Sequence, residues 1–134
     1  MTKLLKIEGI GRTVASKLEG AGIVSIEALL EYGSTPSGRQ GLSKITRIPS
    51  RRLLHFVHRA DLSRVKGVGE EYAELLEVAG ISNVPKLANC NPDDLIVTLK
   101  DVNSYRRLVR RLPAKRLVAE WINTAQALPA VVQY

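Results

Sequence analysis

An internal duplication limits the folds open to this chain more than any other feature of its sequence. Residues 7–33 read IEGIGRTVASKLEGAGIVSIEALLEYG, and residues 65–91, 58 positions further on, read VKGVGEEYAELLEVAGISNVPKLANCN. In this alignment Gly9, Gly11 and Gly22 fall on Gly67, Gly69 and Gly80, and most aliphatic residues of the first copy fall on aliphatic residues of the second. A repeat of this fidelity indicates that one structural unit occurs twice.

Each copy predicts a glycine turn followed by amphipathic helices, and no segment predicts a strand. The pattern aliphatic-x-Gly-aliphatic-Gly stands at residues 7–11 and again at residues 65–69. Apolar residues then recur at helical spacing as far as Gly22 and Gly80, which predict left-handed helix ends. Further helices are predicted to begin after four capping residues: Ser25, Thr35, Asn83 and Asn91.

A second pair of matching segments marks the end of each copy. Ile48-Pro49 matches Leu112-Pro113 at an offset of 64, so six residues are inserted in the second copy. Residues 45–49 and 109–113 have the spacing of the glycine turn, with Arg and Pro where its glycines would be, and we interpret them as degenerate hairpins. The last helices are predicted over 50–60 and 114–126, with core residues at helical spacing: Phe56, Val57, Trp121 and Ile122.

These patterns predict an all-α protein with two units and a tail. The 134 residues, 45% of them hydrophobic, suffice for one compact domain or for two small domains in contact. We place the first unit at residues 1–62 and the second at residues 63–126. Residues 127–134 form an extended C-terminal tail, which is expected either to pack as a strap or to dock on a partner.

The first glycine turn has the features of a phosphate-binding site. Glycine at the first position can adopt positive φ, and glycine at the second position lets a ligand approach the backbone without meeting a Cβ. A helix begins directly afterwards, so its unpaired first-turn amides and its positive dipole end face the same place. The alternative is that the glycines only form a tight connection between helices. The predicted phosphate-binding residues are Gly9, Gly11, Arg12, Thr13 and Lys17.

The second glycine turn is predicted to be structural. At the positions that match Arg12 and Thr13 the second copy has Glu70 and Glu71, and both would repel a phosphate near the turn. Gly67 and Gly69 are therefore expected to serve packing or protein contact. Glu70, Glu74 and Glu77 share a helix face, but a solvated acidic face at a helix amino end explains them without a metal.

The positive charge is concentrated in the first half of the chain and in one segment of the second. Of the net charge of +7, residues 1–64 contribute 11 basic and five acidic side chains, whereas residues 65–134 contribute nine and eight. Such a charge favours nucleic acid, an anionic membrane or an acidic protein surface as the partner, without choosing among them. Two basic edges flank the degenerate hairpins and are predicted to follow a phosphate backbone. The open alternative is that they form a solvated charged face. The residues of the two edges are Arg47, Arg51, Arg52, Arg106, Arg107, Arg110, Arg111, Lys115 and Arg116.

Several functions have no support in the sequence. The pair His55 and His58 has no third ligand type nearby, and there is no nucleophile-base motif or nucleotide-binding loop, so we predict no catalytic residues, metal, cofactor or small-molecule substrate. The single cysteine, Cys90, fits a reducing compartment. No apolar run approaches the roughly 20 residues of a membrane span, so no membrane contact is expected and the predicted location is cytoplasmic.

The segments quoted above, together with TPSGRQGL, RRLPAKRLVAEWI and the closing ALPAVVQY, resemble the family of domain of unknown function 4332 over essentially the whole chain. The resemblance implies two tandem, internally duplicated double helix-hairpin-helix (SAM-like) units of about five helices each, of a type common in bacteria and without an established activity. The family pattern has Thr-Gly-Ile-Ser where this chain has Thr46-Arg47-Ile48-Pro49, so here the second hairpin of the first unit has lost its glycine.

Two functions remain open at this point. The first is non-enzymatic, largely sequence-independent binding of a nucleic-acid backbone, DNA more than RNA, through the first hairpin and the basic edges. The second is a protein-interaction or assembly adaptor in which the hairpins are structural and the acidic helix, the basic edges or the tail contact another protein. An enzyme of nucleic-acid metabolism is the least favoured alternative.

Overall fold

The computed structural model describes residues 2–7 and 9–134, and its regular structure is helical. It contains a 3-10 helix over Leu4–Lys6, followed by α1 Arg12–Gly20, α2 Ile26–Gly33, α3 Pro36–Thr46, α4 Ser50–Leu62, α5 Glu70–Val78, α6 Val84–Ala88, α7 Pro92–Arg106 and α8 Lys115–Ala127. No strand occurs among the residues that the structure describes. The predicted all-α class is confirmed.

The chain forms two compact units. The first comprises the chain up to Asp61 together with Val131–Tyr134, and the second comprises Leu62–Ala130. The described part of each unit holds four α-helices, where about five helices had been expected. In the first unit a 3-10 turn takes the place of the short leading helix, and in the second unit residues 63–67 form turns and a bend.

The predicted capping residues begin four of the helices. The Ser25 hydroxyl accepts a hydrogen bond from the Ala28 amide at 3.1 Å, and the Thr35 hydroxyl accepts one from the Gly38 amide at 3.0 Å. In the second unit the side chains of Asn83 and Asn91 cap α6 and α7 in the same way. Each cap satisfies amide groups that have no partner within their helix.

Each unit has its own apolar core. In the first unit the buried side chains come from the 3-10 helix and from α1 to α4, and in the second they come from α5 to α8 and from the segment that leads into α5. Phe56, Val57, Trp121 and Ile122 are all at most 3% exposed, as their helical spacing predicted. Burial of such aliphatic and aromatic area is the main source of stability in a small helical unit.

The first glycine of each turn has the same φ and packs on an aromatic ring of its own unit. Gly9 and Gly67 both have φ of 92°, a conformation that side-chain-bearing residues rarely adopt. A Cβ at Gly9 would lie 3.5 Å from the Phe56 ring, and a Cβ at Gly67 would lie 3.0 Å from the Trp121 indole nitrogen. Phe56 and Trp121 are each the seventh residue of the last helix of their unit, so the turn rests on the same helix position in both copies.

The degenerate hairpins differ between the units. Arg47 ends α3 with φ of 61°, so it takes the conformation of the glycine that it replaces. In the second unit the left-handed residue is Arg107, with φ of 51°, and not Arg111, where the pattern had placed it. The inserted residues lengthen both α7 and the loop after it. Because that loop is longer, the left-handed residue lies further before the proline in the second unit than in the first.

Side chains of the second unit hold this longer loop in place. The Asn103 amide group donates to the Val109 carbonyl at 3.1 Å and accepts from the Val109 amide at 3.0 Å. The Tyr72 hydroxyl donates to the Arg111 carbonyl at 3.1 Å. The loop therefore has a defined backbone even though it lacks glycine.

Candidate functional site

The amino terminus of α1 offers unpaired backbone amides. Among the described residues, no hydrogen-bond acceptor is found for the amides of Gly11, Arg12, Thr13 or Val14, whereas the Gly11 carbonyl already accepts from the Ala15 amide at 2.9 Å. The amides at the start of a helix point along its axis and, together with the helix dipole, attract anions. This geometry is the one that the glycine pattern predicts.

The α-helix starts other than that of α4 divide into capped and uncapped ones. The helices α2, α3, α6 and α7 begin with a side chain that accepts hydrogen bonds from their first amides. By contrast, α1 and α5, which follow the glycine turns, and α8, which follows the second degenerate hairpin, have no side-chain cap. Both glycine turns thus lead into helices that lack a side-chain cap.

Neither the backbone conformation nor the packing requires glycine at the second position of each glycine turn. Gly11 has φ of −89° and Gly69 has φ of −83°, values that any residue adopts. A Cβ placed on either glycine would meet no heavy atom within 4 Å among the described residues. The absent Cβ therefore leaves room outside the protein, where an incoming group can approach the amides.

The three polar side chains predicted beside the first turn all reach solvent. Arg12 and Thr13 are the first two residues of α1 and are exposed, and Lys17 lies further along the same helix and is also exposed. No acidic residue stands in the first turn of α1. The arrangement combines open amides, one hydroxyl and two cationic side chains, all of which suit a phosphate group.

The second unit has the same backbone with the opposite charge. Glu70 and Glu71 occupy the first turn of α5, and both are exposed. Their carboxylates complement the helix dipole and disfavour an anion beside Gly69. The two turns therefore form a natural matched pair, with equal geometry and unequal electrostatics.

In the first unit, the Phe56 ring brings the glycine turn and the basic edge together. The ring lies against Gly9, and the Arg52 guanidinium carbon lies 5.5 Å from the centre of the same ring, within the range of a cation-π contact. Arg51 and Arg52 line a surface cleft with Pro49 and His55. Arg47, Arg51 and Arg52 are all exposed, so this edge presents its cations to solvent.

The basic edge of the second unit is exposed but partly neutralised. Two of its members pair with carboxylates: Lys115 Nζ lies 2.6 Å from Asp93 Oδ1, and Arg116 Nε lies 3.5 Å from Glu120 Oε1. Exposed pairs of this kind contribute little to stability, but they reduce the charge available to a ligand. The other members of this edge are also exposed: Arg106, Arg107, Arg110 and Arg111.

Not every basic residue of the first half lies at the surface. Arg39 is 5% exposed and Arg59 is 6% exposed. Burial lowers the pKa of the Arg39 guanidinium from its ordinary value. The sequence did not reveal this, because Arg39 stands among polar residues near the start of α3 and its main-chain partners lie elsewhere in the unit. The charge offered to a ligand by the first unit is therefore smaller than a count of its arginines indicates.

The described part of the chain contains neither a metal-binding cluster nor a membrane-spanning helix. No group of three or more His, Cys, Asp or Glu side chains there is arranged to hold a metal ion. No described helix combines the length and the apolar character needed to cross a bilayer.

The fold and the open turn define an all-α protein with a repeated glycine turn. Residues 8–128 match the family model described as domain of unknown function (DUF4332), and the chain belongs to that family. Comparison with curated proteins and with solved structures found no match.

Proposed function

We propose that this protein is a non-enzymatic, cytoplasmic binder of nucleic-acid backbones, built from two double helix-hairpin-helix units. The ligand is a phosphate backbone bound without base recognition, DNA in preference to RNA. The observation that carries the proposal is the uncapped start of α1, where the amides from Gly11 to Val14 have no acceptor among the described residues and Gly11 leaves space for one.

A phosphate at this turn would replace the missing cap. Its oxygens would accept hydrogen bonds from the Gly11 and Thr13 amides and from the Thr13 hydroxyl, and Arg12 would add a charge-assisted contact. The helix dipole favours an anion there by about 0.3–1 kcal/mol at an exposed site, so one turn alone supports only weak binding. Useful affinity therefore needs further phosphate contacts.

The basic edge of the first unit supplies such contacts. Arg52 lies over the Phe56 ring on which Gly9 packs, so the turn and this edge share a structural support. Arg47 and Arg51 extend the exposed cationic surface. Contacts to phosphates fix the position of a duplex without reading its sequence, which fits a surface made of backbone amides and arginines.

Fluorescence anisotropy with a labelled DNA duplex, titrated at several salt concentrations, tests the proposal. Each phosphate neutralised should add about 0.9 to the slope of log K against log salt. Arg12→Glu should weaken binding strongly. The matched control is Lys100→Glu, which makes the same charge change at an exposed position of α7. Equal loss in both variants, or binding that does not respond to salt, would contradict the proposal.

A protein-interaction adaptor is the second candidate, and exposed apolar side chains on α7 favour it. Val97 is 68% exposed and Tyr105 is 65% exposed, and both lie on α7. Exposed apolar side chains on one helix are suited to contact with another protein when they form a common patch. The fitting experiment is a pull-down with the full chain and with a Val97→Lys, Tyr105→Lys variant. The adaptor is favoured if the full chain captures a partner that the variant does not capture, and if the full chain does not bind DNA.

A further inference from the structure

The tail Val131–Tyr134 lies in a built site on the first unit. The Gln133 amide donates to the Ser34 carbonyl at 2.6 Å, and the Arg39 guanidinium donates to the Gln133 carbonyl at 2.7 Å. Val132 packs against the apolar core of this unit. Both main-chain groups of Gln133 are thus bound, in the way that an extended peptide is recognised by backbone contacts.

The far end of the tail contacts α4. The Tyr134 hydroxyl lies 2.7 Å from His58 Nε2, and the two rings lie 5.7 Å apart, centre to centre. We call the site formed by Ser34, Arg39 and His58 the tail site. It offers a carbonyl, a guanidinium and an imidazole to an extended segment with an apolar residue followed by a polar one and a tyrosine.

Arg39 contributes a buried guanidinium to this site. It is the fourth residue of α3, and the fourth residue of α7 is Leu95, which is 3% exposed. One copy of the repeat therefore has leucine at this buried position and the other has arginine. Burial of a guanidinium is costly unless its N–H groups are bound. Arg39 meets that need with two carbonyls, Gly33 at 2.8 Å and Gln133 at 2.7 Å.

The end of α2 supplies the main-chain carbonyls around the tail site. The last carbonyls of a helix have no partner within it. Gly33 is the last residue of α2 and Ser34 follows it, and their carbonyls are satisfied by Arg39 and by the Gln133 amide respectively. Without a bound segment, the Ser34 carbonyl and part of the Arg39 guanidinium would lose their described partners.

We propose that the tail site is a peptide-binding site and that residues 131–134 of a second copy of this chain are the partner that it fits. The site makes the same contacts whether the segment comes from its own chain or from another, so only the connection decides which one fills it. That connection is the short segment Leu128, Pro129 and Ala130, and the Pro129 carbonyl is bound by the Arg64 guanidinium at 2.8 Å. A short connecting segment favours exchange of the element that it carries between copies.

Two full-length variants test this inference by complementation. Variant one is Arg39→Leu, which removes the receptor, keeps the tail and copies the residue that α7 has at the same position. Variant two carries Val132→Asp and Gln133→Pro, which removes the tail contacts and keeps the receptor. Each variant alone should run as a monomer in size-exclusion chromatography with light scattering. An equimolar mixture at high concentration should contain a species of twice the monomer mass, with one chain of each kind.

The mixture has a direct control and an independent readout. A fluorescent peptide with the sequence of residues 128–134 should bind variant two, and the addition of Arg39→Leu to variant two should abolish both peptide binding and the mixed dimer. Arg39→Gln replaces Arg39→Leu if the leucine variant does not melt cooperatively. A mixture of folded variants that remains monomeric at hundreds of micromolar would overturn the inference. Because this test uses no nucleic acid, its outcome is separate from that of the proposed function.

Discussion

Arg47 and Arg107 both hold a left-handed backbone, with φ of 61° and 51°, at the residue that follows the third helix of their unit. They are the only non-glycine residues with positive φ in the described part of the chain. Each is exposed, so the unfavourable conformation places a guanidinium at the surface beside a turn. A left-handed arginine therefore follows the third helix in both copies, although the turns around it differ.

Replacement of Arg47 by glycine should stabilise the protein. A left-handed conformation costs a side-chain-bearing residue about 1–2 kcal/mol, which exceeds the roughly 0.5–1 kcal/mol of chain entropy that glycine adds to the unfolded state. We expect Arg47→Gly to raise the free energy of unfolding by about 0.5–1 kcal/mol in urea denaturation. Lys44→Gly, in the right-handed backbone of α3, should lower it instead. If both variants lose stability, the backbone argument fails.

Serine at Gly11 should separate stability from ligand binding. In Gly11→Ser the hydroxyl can cap α1 and occupy the amides that we assign to phosphate, so stability should rise by a few tenths of a kcal/mol while DNA binding falls. Gly69→Ser makes the same change in the other unit, and we expect it to leave DNA binding intact. Thermal melts and anisotropy titrations of the pair decide the matter. Equal DNA binding by both variants would remove the first turn from the site.

Two glycines of α3 should respond oppositely to alanine. A Cβ at Gly38 would lie 2.0 Å from the Tyr32 carbonyl oxygen, whereas a Cβ at Gly41 would meet no described atom within 4 Å. We therefore expect Gly38→Ala to cost about 3 kcal/mol or more, because the clash is with backbone. Gly41→Ala should add about 0.5–1 kcal/mol through lower entropy of the unfolded chain. Circular dichroism during denaturation measures both.

Cys90 should react slowly while the protein is folded. Burial raises the pKa of its thiol above the ordinary value, and Sγ donates to the Lys86 carbonyl at 3.3 Å. Since the thiolate is the reactive form, a raised pKa lowers the reactive fraction at any pH below it. Alkylation by iodoacetamide at pH 8, followed by mass spectrometry, should be several-fold slower than in denaturant. Equal rates in the two conditions would show that the thiol is not protected.

Local chemistry made the helix starts predictable. Ser25, Thr35, Asn83 and Asn91 each bind an amide two or three residues ahead, so the signal and the structure lie within the same few residues. The positive φ of Gly22 and Gly80 follows from their place after a helix in the same local way. The open amides at Gly11 were predictable for the same reason.

Contacts between distant residues account for what the sequence did not reveal. The position of the left-handed residue in the second unit depends on the Asn103 contacts to Val109, which fix the lengthened loop after α7. The burial of Arg39 depends on Gln133, which is 94 positions away. No periodicity or capping rule connects residues at such a separation, so both features became visible only in the folded chain.

The tail also sets an order for folding during synthesis. Residues Val131–Tyr134 complete the first unit, yet the ribosome adds them after the whole of the second unit. The Ser34 carbonyl and the part of the Arg39 guanidinium that binds Gln133 therefore gain these contacts only after residues 131–134 have been synthesised. The first unit of a nascent chain should therefore gain its full protease resistance no earlier than the second, whereas amino-terminal domains usually complete their folding first.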